Sequence, residues 1–152
     1  AYLNNPGASK KKTHDGWFRT GDIVHSDVDG WLFFDYRAGG GIRRNGDFIN
    51  PSFVEKVLAE IDGVSDVFVY GVPSKSGAPG EKDVVAAIVS SDQSFCSADI
   101  FNICRDKLES NFVPSYLQLV KKIPKTASEK PQERFLLDLF SANPQSVFTE
   151  QR

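Results

Sequence analysis

The stretch that decides the fold runs from Asn50 to Val72, NPSFVEKVLAEIDGVSDVFVYGV. Asn50 followed by Pro51 is a typical helix start, because asparagine caps the first free amides and proline fits the first helical position. Apolar residues then recur at helical spacing until about Asp62. From Val64 onward, apolar and polar residues alternate with a period near two, which is typical of a strand. The stretch therefore predicts one helix followed directly by one strand.

Downstream of this stretch, the same signals predict further strands and helices. They are a strand over residues 83–90, a helix capped by Ser97 that ends near residues 111–112, a strand over residues 116–123, and a helix over residues 133–140 with a frayed tail beyond it. The resulting order is α-β-β-α-β-α. This order predicts a small α+β domain with a three-stranded sheet covered by helices.

Upstream, two β-rich runs span residues 17–24 and 31–36. The turn between them ends in Asp29-Gly30, a dipeptide that often closes hairpins. Residues 1–15 are polar and are predicted to be a connector with little structure of its own. A β-hairpin is therefore expected before the helical stretch.

Three glycines, Gly39, Gly40 and Gly41, separate the hairpin from the helix. Glycine adopts backbone conformations that are closed to other residues, and three in succession cost the most entropy to order. This run predicts a hinge.

Composition excludes several classes of protein. The chain has 152 residues, enough for about one domain, and a net charge of -2, which gives no basic field for nucleic acid. The longest apolar runs are strand-sized, far short of the roughly 20 residues of a membrane span. The N-terminus has no apolar segment typical of a signal peptide, so a cytoplasmic location is expected. The absence of methionine and the turn-like opening favour a piece of a longer chain.

Local motifs for metal or phosphate sites fail on their spacing. The sequence SDVDG would need Asp and Glu at the two ends of a calcium loop, where His25 and Tyr36 stand. The loop over residues 77–82 lacks the P-loop spacing. Neither histidine has partners at metal-ligand spacing, so no metal site and no hydrolase site are predicted.

Three separated motifs resemble those of the adenylate-forming superfamily, which includes acyl-CoA synthetases, peptide-synthetase adenylation domains and beetle luciferases. Residues 16–22, GWFRTGD, resemble G-W-F-x-T-G-D. Residues 35–37, DYR, and the following IRRNGDFINP resemble the hinge segment of the family. Residues 123–130, IPKTASEK, resemble P-K-T-x-S-G-K, and the loop over residues 71–81 matches a fourth motif.

The resemblance implies the C-terminal domain of an AMP-forming acyl-CoA synthetase. The sequences GGGIRRNGDFINPSFVE and PKTASEK look closest to crotonobetaine/carnitine-CoA ligases. Residues 1–37 would end the large N-terminal adenylation domain, residues 38–41 would form the hinge, and residues 42–152 would form a mobile C-terminal lid.

The family motifs also imply roles for individual residues. Lys130 matches the adenylation lysine, while Asp22 and Arg37 match the residues that bind the ATP ribose. Arg43 and Gly46 match positions on the face that forms the CoA thioester.

Three positions depart from the family pattern. Gly39 stands where the family usually has Asp or Lys at the pivot, and Tyr36 is inserted between the usual Asp and Arg. Glu129 replaces the glycine just before the catalytic lysine, which places a negative charge beside it.

The activity implied by the resemblance consists of two half-reactions. A carboxylic acid and ATP give an acyl-adenylate and pyrophosphate, and CoA then gives the thioester and AMP. The implied cofactors and substrates are ATP, Mg²⁺ and CoA, the implied partner is the enzyme's own N-terminal domain, and the fragment alone should be inactive. Two alternatives stay open: adenylation of an amino acid for a carrier protein, and a non-catalytic α+β interaction module.

Overall fold

The computed structural model describes residues 3–37, 40–91 and 95–151, and describes only the backbone of Ala8, Asp35, Tyr36 and Arg37. The chain divides into two compact units, Ala1–Gly41 and Ile42–Arg152. None of the helices within the described ranges is long and apolar enough to cross a lipid bilayer.

The first unit opens with structure that the sequence reasoning did not predict. Helix α1 (Pro6–Lys12) leads into strands β1 (Thr13–His14) and β2 (Trp17–Phe18), which pair antiparallel. Asp15 and Gly16 form the turn between them with φ values of 48° and 82°. Two positive φ values are the mark of a tight hairpin turn, and Asp-Gly is a preferred dipeptide there. The prediction of little structure over residues 1–15 is therefore wrong.

The predicted hairpin is present in the first unit, with a later start than expected. Strand β3 (Asp22–Ser26) pairs antiparallel with β4 (Leu32–Arg37). The Asp27 carboxylate accepts hydrogen bonds from the amides of Asp29 and Trp31, at 3.0 and 2.9 Å, and so closes the turn. Such Asx-type bonding stabilises the turn without help from the rest of the chain.

The second unit carries most of the regular structure. Its elements in chain order are β5 (Ile42–Arg44), β6 (Asp47–Ile49), α2 (Pro51–Ala59), β7 (Val64–Pro73), β8 (Lys82–Ser90), α3 (Ser97–Lys107), β9 (Tyr116–Leu119), α4 (Glu133–Ala142), a 3-10 turn (Pro144–Ser146) and β10 (Val147–Thr149). Asn50 caps α2 as predicted, because its side-chain oxygen accepts from the Ser52 amide at 3.0 Å. The capping prediction for Ser97 is wrong, since Cys96 holds that place without a side-chain bond and α3 already ends at Lys107.

The sheet of the second unit has four strands in the order β10-β9-β8-β7. Strands β7 and β8 are antiparallel, β8 and β9 are parallel, and β9 and β10 are antiparallel. The α+β class is confirmed. The prediction of three strands is wrong, because β10 adds a fourth strand in the region that was expected to be a frayed tail. The 3-10 turn brings the segment that contains β10 back to β9. There the Glu150 amide donates to the Ser115 carbonyl at 2.9 Å, and the Glu150 carboxylate pairs with Arg105 at 3.1 Å.

Both faces of the sheet are buried. One core cluster contains residues from α2 and α3, such as Leu58 and Phe101, packed with Ala86 and Ile88 of β8. The other contains Leu136 of α4, together with the odd-numbered residues of β8, which point to the opposite face of the sheet. Because successive strand residues point to opposite faces, a strand covered on both sides is apolar throughout. This explains the continuous apolar run over residues 84–89.

Candidate functional site

The segment that carries Lys130 is a short, self-bonded hairpin. Lys125 and Pro131 are paired across its base, and the Thr126 amide donates to the Lys130 carbonyl at 2.9 Å. The Gln132 amide donates to the Pro124 carbonyl at 2.8 Å, which continues the pairing. Residues 124–132 are called the lysine hairpin below. Its hydrogen bonds hold the backbone of Lys130 in a defined place at the start of α4.

Hydroxyl groups stabilise the tip of the lysine hairpin. The Lys130 amide donates to Thr126 Oγ1 at 3.2 Å, and Thr126 Oγ1 lies 3.0 Å from Ser128 Oγ. The hydroxyl groups of Thr126 and Ser128 therefore stabilise the turn at the tip of the hairpin. The Lys130 side chain is exposed, and its ammonium has no hydrogen-bond or ion-pair partner within the described ranges. The charge is thus available to a ligand.

Glu129 has a left-handed backbone conformation, with a φ of 60°. Its amide donates to the Thr126 carbonyl at 3.0 Å, so it follows a tight turn at the position where hairpins favour glycine. A side chain in this conformation costs about 1–2 kcal/mol relative to ordinary helical backbone. The glycine expected from the family pattern therefore has a conformational reason, and Glu129 adopts the same conformation against that cost.

An ion pair attaches the lysine hairpin to strand β7. Lys125 Nζ lies 2.8 Å from Asp66 Oδ2, with about a third of each side chain exposed. The hydrogen bond from Lys125 to Asp66 raises the pKa of the lysine, and the charge of Asp66 adds to this effect. The sequence reasoning did not single out either residue, because they lie 59 positions apart and only the fold brings them together.

Arg43 and Gly46 lie in the hairpin formed by β5 and β6. Asn45 and Gly46, with φ values of 52° and 88°, make its two-residue turn. A side chain at Gly46 would meet open space, so the backbone conformation, and not packing, requires glycine there. Arg43 Nε donates to Glu81 Oε1 at 3.0 Å, and the Arg43 side chain is still more than half exposed. Both predicted residues thus sit on one small, accessible hairpin.

Glu81 and Arg44 also hold this hairpin in place, and the sequence did not predict this role for either of them. Glu81 Oε2 is buried and has no hydrogen-bond partner within the described ranges, while Glu81 Oε1 is bonded to Arg43. Arg44 is buried and donates to the carbonyls of Asn111 and Val113, at 3.0 and 2.6 Å. Alternation along β5 could have indicated that the two arginines face opposite sides.

Asp22 and Arg37 occupy opposed positions in the first unit. They are register partners at the open end of the β3–β4 hairpin. The Asp22 amide donates to Thr20 Oγ1 at 3.1 Å, so the chain is ordered just before this strand. The structure therefore brings together the two positions expected to bind a ribose.

The predicted hinge is only partly within the described residues. Gly39 and Ala38 lie outside them, while Gly40 and Gly41 form a turn and a bend. The boundary between the two compact units falls directly after Gly41.

Comparison with known proteins gives one family for this chain. Residues 54–130 match the model of the AMP-binding enzyme C-terminal domain. The 2-succinylbenzoate–CoA ligase of Listeria monocytogenes serotype 4b (strain F2365) is 35% identical over 140 residues, covering 92% of this chain and 29% of the ligase. The oxalate–CoA ligase of Arabidopsis thaliana is 36% identical over 143 residues, covering 94% of this chain and 27% of the ligase.

This chain is also similar to a solved structure of a CoA synthetase. The o-succinylbenzoate CoA synthetase (MenE) from Bacillus subtilis, in complex with the acyl-adenylate intermediate OSB-AMP, matches with a TM-score of 0.80 and 26% identity. The match covers 90% of this chain and 27% of the synthetase. These relatives are not crotonobetaine/carnitine-CoA ligases, so the narrower resemblance expected from the sequence is not supported by them.

The chain spans less than a third of the length of the relatives it matches. The family match begins inside α2 and ends at Lys130, so it contains the β7–β8–β9 sheet, α3 and most of the lysine hairpin. On the matched residues, this chain belongs to the AMP-binding enzyme C-terminal domain family.

Proposed function

We propose that this chain is the C-terminal part of an ATP-dependent acyl-CoA ligase. In the complete enzyme, a carboxylate oxygen would attack the α-phosphorus of ATP and release pyrophosphate. The thiol of CoA would then attack the acyl carbon and release AMP. The observation that carries the proposal is the lysine hairpin, which holds Lys130 in place and leaves its ammonium exposed, inside a domain of the AMP-binding family.

Lys130 would act in the first half-reaction. A compact ammonium can offset the negative charge that develops on carboxylate and α-phosphate oxygens as the new bond forms. Such a group is effective only if it is already in position, and the paired backbone of residues 124–132 supports this. Lys130 is therefore proposed as the catalytic residue of adenylation.

Asp22 and Arg37 would hold the ATP ribose. An ionised carboxylate is a strong acceptor for the two ribose hydroxyl groups. The register pairing of the two residues supports a shared ligand at that end of the hairpin.

Magnesium would neutralise the phosphates in such a reaction. Among the described residues, no group of three or more His, Cys, Asp or Glu side chains could hold a metal ion. We therefore assign none of the described residues to the ion.

The second half-reaction would use the β5–β6 hairpin. We propose that residues 38–41 act as the hinge that exchanges the lysine hairpin for the face around Arg43 and Gly46. The unit boundary after Gly41 supports a pivot in this segment. Open space around Gly46 and the partly exposed side chain of Arg43 support the approach of a phosphate-bearing CoA arm.

The first unit would pack against the rest of the large N-terminal domain of the ligase. Trp17, Trp31 and Phe34 expose between 66% and 81% of their surface. Large exposed apolar surfaces often mark a region that another structure covers. We propose residues 1–37 as the end of that large domain, residues 42–152 as the mobile lid, and the cytoplasm as the location of the enzyme.

The two alternatives differ from this proposal in testable ways. Adenylation of an amino acid for a carrier protein would release pyrophosphate but would not use CoA. A non-catalytic interaction module would support neither half-reaction. The relatives are named for succinylbenzoate and oxalate, so these two acids are candidate substrates of the ligase.

The proposal is tested by measuring both half-reactions of the complete ligase that contains this chain. ATP–pyrophosphate exchange and thioester formation are assayed with 2-succinylbenzoate, oxalate, a long-chain fatty acid and a carnitine-like acid. We expect exchange and CoA-dependent thioester formation with the same acid, and neither reaction from residues 1–152 alone. Exchange that proceeds with amino acids only, or no exchange with any acid, would contradict the proposal.

Glu129 provides a further prediction about the adenylation step. Substitution to glycine removes the charge and also the conformational cost of the positive φ, whereas substitution to glutamine removes only the charge. A like charge near the triphosphate weakens ATP binding, so we expect Glu129→Gly to lower the KM for ATP by roughly 2- to 10-fold. Steady-state exchange kinetics of the two variants give the comparison. A Glu129→Gln variant equal to wild type would show that conformation, and not charge, is responsible.

A further inference from the structure

We propose that Lys125 is a positioning residue for adenylation: by pairing with Asp66 it holds the lysine hairpin on strand β7 and so fixes Lys130. This inference rests on the proposed function, because it assigns the pair to one half-reaction. Lys125 itself would touch neither ATP nor the acid.

The position of Lys125 makes it an effective anchor. It lies at the base of the lysine hairpin, directly paired with Pro131, the residue after Lys130. Backbone bonds from Thr126 to Lys130 and from Gln132 to Pro124 make the two arms move together. Fixing Lys125 therefore also fixes the backbone of Lys130.

Asp66 is itself held in place by strand β7. Its Oδ1 accepts from the Val67 amide at 3.0 Å, and its Oδ2 binds Lys125. Nearby, Glu55 of α2 accepts from the Val69 amide at 2.8 Å, which attaches the helix to the same strand. The anchor point thus belongs to the four-stranded sheet of the second unit.

The loss of the pair would affect more than one charge. Without Lys125, Asp66 would face the negative charge of Glu55, and no other cation in the described part of the chain would be in contact with it. The lysine hairpin would keep its own backbone bonds but lose this attachment to β7. A misplacement of about 1 Å at a reacting group can reduce a rate by roughly 100-fold. The adenylation step would then slow, because it alone would need Lys130 in place.

The test separates the two half-reactions in the complete ligase. The variants are Lys125→Met, Asp66→Asn, and the exchanged pair Lys125→Asp with Asp66→Lys, and the matched control is Lys122→Met, an exposed lysine just before the hairpin. We expect each single substitution to lower ATP–pyrophosphate exchange by roughly 10- to 100-fold. Thioester formation from supplied acyl-adenylate should stay near the wild-type rate, and the exchanged pair should regain most of the lost exchange.

The outcomes distinguish this inference from the proposed function. If Lys130→Ala abolishes exchange while Lys125→Met and Asp66→Asn leave it unchanged, the anchor is overturned and the proposed function stands. If the exchanged pair fails to recover although it unfolds at the same urea concentration as wild type, Lys125 acts on the ligand directly and positioning is overturned. If Lys130→Ala also leaves exchange unchanged, the proposed role of Lys130 fails and the anchor fails with it. If the wild-type ligase shows no exchange with any acid, the proposed function itself fails.

Discussion

Substitution of Lys130 by alanine is expected to lower ATP–pyrophosphate exchange by roughly 100- to 1000-fold, the cost of removing one well-placed charge-stabilising group. The exposed ammonium has no partner within the described residues, so its removal should not disturb the fold. Exchange is measured in the complete ligase at saturating acid and ATP. Far-UV circular dichroism of the variant should match that of the wild type.

The same variant should still form thioester from supplied acyl-adenylate, because the second half-reaction would use the β5–β6 hairpin. Lys122→Ala is the matched control, since it removes another exposed lysine close to the same segment. Equal exchange in wild type and Lys130→Ala would mean that Lys130 is an ordinary surface lysine. Equal losses in both half-reactions would contradict the proposed division of labour between the two hairpins.

The second large effect concerns stability and involves Gln118, which is fully buried on β9. Its Oε1 accepts from the Tyr70 hydroxyl at 2.7 Å, and its Nε2 donates to the Leu136 carbonyl at 3.0 Å. Burial raises the pKa of Tyr70, so its hydroxyl stays a donor at neutral pH. Gln118→Leu would remove both bonds and leave the Tyr70 hydroxyl with only its longer bond of 3.4 Å to the Leu136 carbonyl. We therefore expect a loss of about 1–3 kcal/mol in the free energy of unfolding.

Urea unfolding of the 152-residue chain, followed by circular dichroism, measures this loss. The transition should move to lower urea with an unchanged slope. Gln145→Leu, at an exposed position, should change stability by no more than about 0.5 kcal/mol.

Tyr70→Phe completes the comparison. If the network acts as one unit, the double variant should lose less than the sum of the two single losses, as residues in contact usually do. A Gln118→Leu variant as stable as wild type would mean that the bonds across α4, β7 and β9 contribute nothing net.

Local signals in the sequence were reliable where a short segment determines its own conformation. Asn50-Pro51 starts a helix because cap and first turn are formed by neighbouring residues, and the hairpin at Asp27 to Trp31 closes by bonds within five residues. The strands β7 and β8 followed from their apolar patterns. Asp15-Gly16 carried a similar signal that the reasoning overlooked.

Signals failed where contacts distant in sequence decide the outcome. Strand β10 consists of Val147–Thr149, too short to show a pattern, and it exists because β9 offers a free edge. The burial of Arg44 depends on carbonyls 67 and 69 residues away. No window of sequence contains such partners.

The features of the candidate site also fall into those that local sequence predicts and those that depend on the fold. The sequence by itself determined the superfamily, the α+β class and the identity of Lys130, Asp22, Arg37, Arg43 and Gly46 as candidate residues, because motifs of a few residues carry that information. Only the tertiary structure decided that Glu129 adopts a left-handed conformation, that Glu81 pairs with Arg43, and that Asp66 pairs with Lys125. The physical reason is that an ion pair depends on the distance between two charges, which the fold sets and the sequence separation does not.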